Sequence, residues 1–149
     1  MLDQATKWWV LAELMDPPRV IPVTSFFNLV LGWNRGVTFG LLAADHPATP
    51  WLLSLLALAI IAGLAVWMAR DRRPRITASV GFIAGGALGN VVDRLRHGAV
   101  TDFLDFHAAG YHWPTFNLAD TAIFVGIALL LLLGERGEAT RVPNSPAPS

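Results

Sequence analysis

Carboxylates and carboxamides gather between Asn90 and Asp120 in a chain that is otherwise poor in charge. Asn90 and Arg94 stand four residues apart with Asp93 between them, and Asp102, Asp105, Asn117 and Asp120 follow. Asp120 is the single charge in the apolar run 116–133. An ionisable side chain at bilayer depth is costly, so it reads as functional by default. Two aspartates brought close cannot both ionise easily, so one pKa rises and the pair shares a proton. The ionised member then takes a proton from water, and the protonated member donates to a carbonyl or a leaving amine. The chemistry that Asp102 and Asp120 offer is therefore aspartyl hydrolysis, on segments expected to converge at the outer membrane boundary.

Each polar residue also has a structural reading. Asn117 and Asp120 have the spacing of a capping box at the start of the last helix, a role compatible with catalysis because a helix N-terminus stabilises a carboxylate. Asp93 and Arg94 read first as structural ion-pair members, and Asp105 as a solvated loop acid. His97, His107 and His112 match no HExxH-type spacing and read as loop or interface residues. Asp3 and Lys7, at i and i+4, pair on one helix face, and composition slightly favours a solvated helix start. Gly81, Gly85 and Gly89 recur every fourth residue, and plain helix packing is the preferred reading.

Other chemistries are excluded or weakened. The chain has no cysteine, which removes disulfides, thiolate nucleophiles and Cys-ligated metals together. Lys7 is the single lysine and no serine lies near it in sequence, so a Ser–Lys dyad has little support. A metal site would need ligands that the histidine spacing does not suggest.

These side chains must be positioned by elements that live in lipid. Hydrophobic residues make up 54% of the chain and charged ones 15%, against about 25% charged in ordinary soluble domains; mean hydropathy is +0.48. Net charge is zero, so no global field argues for nucleic acid. Residues 51–69, 76–92 and 116–133 are apolar runs of roughly 26–29 Å as helices, close to the hydrocarbon thickness of about 30 Å. The expected fold is an all-α membrane protein, a four-helix transmembrane bundle with helices over about 3–16, 51–69, 76–95 and 116–134. A small extracytoplasmic β element is expected over about 20–44, resting on the membrane surface. The membrane-embedded domain spans 1–134, and 135–149 is expected to be a disordered cytoplasmic tail. The arginine-dense loop Arg70-Asp71-Arg72-Arg73-Pro74-Arg75 is cytoplasmic by the positive-inside rule. Residues 17–50 and 93–114 then face the other side. No typical secretory signal peptide is visible.

At this point the motifs resemble a known family, the lipoprotein signal peptidases (signal peptidase II, aspartyl peptidase family A8). Asp3-Gln4-Ala5-Thr6-Lys7 resembles its D-Q-x-x-K start, and Asn34-Arg35-Gly36-Val37-Thr38-Phe39-Gly40 its N-x-G-x-x-F segment. Gly85 to Arg94 is similar to its G-x-x-x-N-x-x-D-R helix end. Val100-Thr101-Asp102-Phe103 and Phe116-Asn117-Leu118-Ala119-Asp120 resemble its two aspartate motifs. The motifs stand in the family's order and cover the chain to about Gly134.

The resemblance implies a peptidase of the bacterial inner membrane. It would cut diacylglyceryl-modified prolipoproteins just before the lipidated lipobox cysteine, with Asp102 and Asp120 as the catalytic dyad. Asn34, Gly36, Asn90, Asp93, Arg94 and Asn117 would bind substrate or support the dyad, and Asp3 and Lys7 would be polar supports inside the bundle. It also implies a monomer working within membrane lipid, no metal or cofactor, and inhibition by cyclic peptides such as globomycin. Family members carry ten or more apolar residues before D-Q-x-x-K, whereas Met1 and Leu2 alone precede it here. The first helix is thus expected to reach only part of the way across, either because the true start lies upstream or because the chain is shortened.

Competing readings make different demands. A small transporter or channel subunit would use the carboxylates for a cation or proton, but no inverted repeat or second polar helix is evident. A presenilin-type peptidase needs a G-x-G-D segment, which is absent. A structural bundle leaves the polar cluster without a purpose.

Overall fold

A computed structural model describes residues 2–36, 46–70 and 73–134. The end of the expected β element, the F of the N-x-G-x-x-F segment, Asp71, Arg72 and the tail 135–149 lie outside the described residues. In chain order the elements are α1 (Leu2–Trp9), a π-helical turn (Val10–Leu14), β1 (Ile21–Thr24), β2 (Phe27–Asn34), α2 (Thr49–Arg70), α3 (Pro74–His97), β3 (Val100–Ala108), β4 (Tyr111–His112) and α4 (Leu118–Gly134). The chain is thus mostly helical with a small antiparallel sheet.

α2 and α3 are long and apolar enough to cross a membrane, and α4 carries a shorter apolar stretch. α2 is apolar on every side and buries only Thr49 and Ser54 within the protein. A helix apolar all round belongs in a core or in lipid, and here the exposed surface assigns it to lipid. α3 starts at Pro74, whose fixed φ suits the first helical position. It ends at Gly98 in the left-handed region (φ 69°), whose N–H closes on the Arg94 carbonyl.

α3 and α4 approach closely through glycines, though not through the expected set. A Cβ on Gly86 would press into the Ala119 carbonyl, one on Gly89 into the Asp3 carboxylate, and one on Gly126 into Ile83 and the Ser79 carbonyl. Gly81 and Gly85 have open space where a Cβ would stand. The repeat of fours therefore mixes packing glycines with groove-facing ones.

The sheet is larger than the expected β element. Its order is β1-β2-β3-β4, and β3 comes from the segment after α3. β2 pairs with β3 antiparallel, matching Gly32 with Asp102 and Asn34 with Val100, with a register shift between Leu29 and Gly32. Under the sheet Val10, Met15 and Phe103 form a buried apolar cluster, flanked by Leu14, Ile21, Leu29, Leu31 and Leu104. This cluster ties the π-helical turn after α1 to the sheet.

Candidate active site

Asp102 and Asp120 reach one site by different routes. Asp102 rides on β3, in a stretch buried on both faces at its start. Asp120 lies in the first turn of α4. The link is Phe116, which bridges antiparallel to Leu104: the Leu104 N–H donates to the Phe116 carbonyl (2.9 Å) and the Phe116 N–H returns to Leu104 (3.2 Å). That bridge sets Asn117 beside the strand that carries Asp102.

Asn117 then caps α4. Its Oδ1 accepts the Asp120 N–H (3.1 Å), while Asp120 Oδ2 accepts the Asn117 N–H (3.2 Å). This reciprocal pair is the geometry of a capping box with aspartate in place of glutamate. The same Asn117 donates from Nδ2 to Asp102 Oδ1 at 2.7 Å and to Asn90 Oδ1 at 3.3 Å. Asn117 is fully buried, so these bonds are shielded from water. One asparagine therefore joins both carboxyls.

Asn90 and Asn34 complete the ring. Asn90 Nδ2 donates to Asp120 Oδ1 at 2.8 Å. Asn34 Nδ2 donates to Asp102 Oδ2 at 3.1 Å across the β2–β3 pair, and its own Oδ1 accepts the Gly36 N–H (3.3 Å). Gly36 thus orients Asn34 through its backbone. Burial pushes the Asp102 carboxyl up from its ordinary value to about 6; the hydrogen bonds from Asn117 and Asn34 pull down, Asp120 pushes up and Lys7 pulls down.

Behind the asparagines lies a buried charge cluster. Lys7 Nζ reaches Asp3 Oδ2 (3.0 Å), Asp93 Oδ2 (3.1 Å) and Asn90 Oδ1 (3.0 Å), one acceptor for each ammonium proton. Asp3 and Lys7 are 9% and 2% exposed, so the reading as a solvated helix start is corrected: they lie inside the protein. Asp3 Oδ1 also accepts the Ala119 N–H (2.9 Å), fixing α1 to the start of α4. Asp93 Oδ2 accepts the Thr101 N–H (2.9 Å), fixing α3 to β3. Buried charges persist only when paired and hydrogen-bonded like this.

Gln4 is a part of the cluster that residue-type reasoning passed over. Its Nε2 donates to Asp93 Oδ1 at 2.7 Å and to the Gly89 carbonyl at 3.1 Å. The available signal was its place within Asp3-Gln4-Ala5-Thr6-Lys7. Arg94 is half-buried within electrostatic reach of Asp120, Asp102 and Asp93. Its Nε is buried and has no hydrogen-bond partner among the described residues.

Asp105 is not a solvated acid. It is 4% exposed and accepts from Asn28 Nδ2 at 2.9 Å, with His112 Nδ1 at 2.8 Å. The His112 hydrogen bond, with help from Asn28, holds its carboxyl below the ordinary value. It clips β4 to β3 and does not join Asp102. His97 lies tilted against Trp33, and His107 stacks on His112. Among the described residues no group of three His, Cys, Asp or Glu side chains is arranged to hold a metal.

Residues 1–134 match the family described as Signal peptidase (SPase) II. Lipoprotein signal peptidases of Azoarcus sp. (strain BH72) and Rhodopseudomonas palustris (strain TIE-1) are 52% and 47% identical. Each match covers 87% of this chain, and 74% and 82% of the respective relative. A solved bacterial membrane enzyme is 27% identical with a TM-score of 0.76, over 89% of this chain and 84% of that one. A second, 23% identical, shares the fold with a TM-score of 0.80 over 98% of this chain and 88% of that one. The transporter reading gives way to this match, and the chain belongs to the signal peptidase II family of aspartyl peptidases.

Proposed function

We propose that this peptidase removes signal peptides from diacylglyceryl-modified prolipoproteins, cutting just before the lipidated lipobox cysteine, with Asp102 and Asp120 as the catalytic pair. The observation that carries this reading is Asn117, whose hydrogen bonds join the Asp102 carboxyl to the Asp120 backbone and whose own N–H is held by the Asp120 carboxyl. Catalysis by such a pair needs one carboxyl ionised and the other protonated. The ionised member draws a proton from water as the water oxygen attacks the scissile carbonyl carbon. The protonated member donates to the amide nitrogen as the C–N bond breaks, releasing the signal peptide and the new amine.

Asn90 and Asn117 orient the pair. The unpartnered Arg94 Nε is suited to a backbone carbonyl of the substrate. Lys7, Asp3 and Asp93 keep Asn90 in register, and Asn34 with Gly36 holds Asp102 from the sheet side. The four helices then act as a transmembrane bundle in the bacterial inner membrane. The site lies near the extracytoplasmic face, and the tail 135–149 is cytoplasmic. The enzyme works as a monomer without a metal or cofactor, and globomycin-like cyclic peptides compete for the same cleft.

The test is cleavage of a diacylglyceryl-modified prolipoprotein peptide by the purified protein in detergent, with the unlipidated peptide as control. Asp102→Asn and Asp120→Asn each lose activity by roughly 10²–10⁴-fold, the scale of general acid–base catalysis, while the fold persists. Full activity in either variant removes that residue from the pair. Equal cleavage of the unlipidated peptide removes the lipid requirement.

A further inference from the structure

A second site lies on the other face of β3. Thr101 and Asp102 alternate along the strand, so their side chains point to opposite sides. On the Thr101 side a cavity of about 440 Å³ opens between α1 and the C-terminal end of α3. Asp93, the cavity's carboxylate, already accepts from Lys7, Gln4 and the Thr101 N–H. Lys7 has an acceptor for every proton. Three groups remain without polar partners among the described residues. These are the exposed Arg96 guanidinium, the His97 ring, which lies tilted against Trp33, and the Thr101 hydroxyl, buried at 0% exposure with no hydrogen bond. All three can donate. Gln4 also lines the cavity, and the apolar part of its wall is Trp8 and Leu11, with Trp8 66% exposed.

A cavity with free donors, an apolar wall and an exposed tryptophan, at the end of a membrane-length helix, has the chemistry of a lipid headgroup site. Tryptophan concentrates at the membrane interface, at the level of the phosphate headgroups, and arginine pairs readily with phosphate. The last turn of α3 carries Arg94, Arg96 and His97, where the helix dipole favours cations. We infer that this cavity binds the phosphate-bearing headgroup of a bilayer phospholipid. Arg96 and Thr101 hold the phosphate, and Trp8 and Leu11 lie along the first acyl carbons. The cavity backs onto Lys7, which holds Asn90, so its occupant adjoins the support of the aspartate pair without touching it. The inference rests on the chain crossing a membrane and not on the identity of the catalytic pair. Its readout is binding, so either reading can fail alone.

The experiment is native mass spectrometry of the whole protein released from detergent, titrated with short-chain phosphatidylglycerol. Parallel arms use diacylglycerol of the same chain length and inorganic phosphate. One tightly held phosphatidylglycerol is expected per protein. Arg96→Gln should weaken it about tenfold, the scale of one charge-assisted hydrogen bond, and Thr101→Val should weaken it less. Arg70→Gln, at the far end of α2, should leave it unchanged. Equal binding by wild type and Arg96→Gln overturns the proposal. So does equal retention of diacylglycerol, which would mean an acyl groove alone, or displacement of the lipid by equimolar phosphate, which would mean a bare anion site.

Discussion

Asp102 is held where its charge is unwelcome, and that has a thermodynamic signature. Its carboxyl is at about 6 in the folded protein against an ordinary 3.8, because burial outweighs the hydrogen bonds it accepts. A folded-state pKa raised above the unfolded value favours the protonated, folded form. The associated stability is present below about pH 4 and is lost as pH rises through about 6, by up to about 3 kcal/mol. Asp102→Asn removes the titration. Thermal unfolding in detergent across this range should therefore show wild type losing stability relative to Asp102→Asn as pH rises. Parallel pH profiles for the two proteins would mean that Asp102 does not titrate there. Asp105 shifts the opposite way and is common to both proteins, so it cancels in the comparison.

Among the elements, the contact of α3 with α4 depends on glycines that leave no room for a Cβ. Gly86 meets the Ala119 carbonyl, one peptide before Asp120, and Gly89 meets the Asp3 carboxylate that holds the Ala119 N–H. A methyl at Gly86 must push α4 away, because a backbone carbonyl cannot rotate aside as a side chain can. Gly86→Ala should cost about 1–3 kcal/mol, the scale of overpacking, and cleavage should fall as Asp120 moves from Asn90. Gly81→Ala and Gly85→Ala face open space and should stay within about 0.5 kcal/mol of wild type. Thermal midpoints of the three variants, measured together, check this. An equal loss in all three would mean that the spacing of four, and not the contact, decides the packing.

For the whole molecule, the proposed orientation is open to a clean assay because the chain has no cysteine. Tyr111, in β4, is 70% exposed, and Pro74 is exposed at the start of α3. α3 is a membrane-length helix, so the two positions lie at opposite ends of one span. In intact cells Tyr111→Cys should react with an impermeant maleimide, whereas Pro74→Cys should react only after lysis. The reverse pattern would turn the bundle over and place the aspartate pair on the wrong side for exported substrates.

Much of this protein is local in origin and so could be read from the chain. Apolar runs follow from hydropathy, because lipid leaves no partner for stray polar groups. Asn117 and Asp120 are three residues apart, the spacing of a capping box, and the reciprocal bonds of the structure make it one. Pro74 and Gly98 bracket α3 for reasons internal to their backbones. The remainder depends on contacts between distant residues. β3 was not legible, because a strand buried on both faces at its start lacks the alternation that reveals a half-buried one. Asp105 looked solvated because Asn28 and His112, which cover it, come from β2 and β4. Asp3 and Lys7 looked solvated because their i, i+4 spacing is equally good on an exposed helix. Only the tertiary structure shows that Asp93, Asn90 and the Ala119 N–H close around them. Sequence determined which groups are costly to bury; the meeting of α1, α3, β3 and α4 decided which of them are buried together, because their partners are supplied by other segments of the chain.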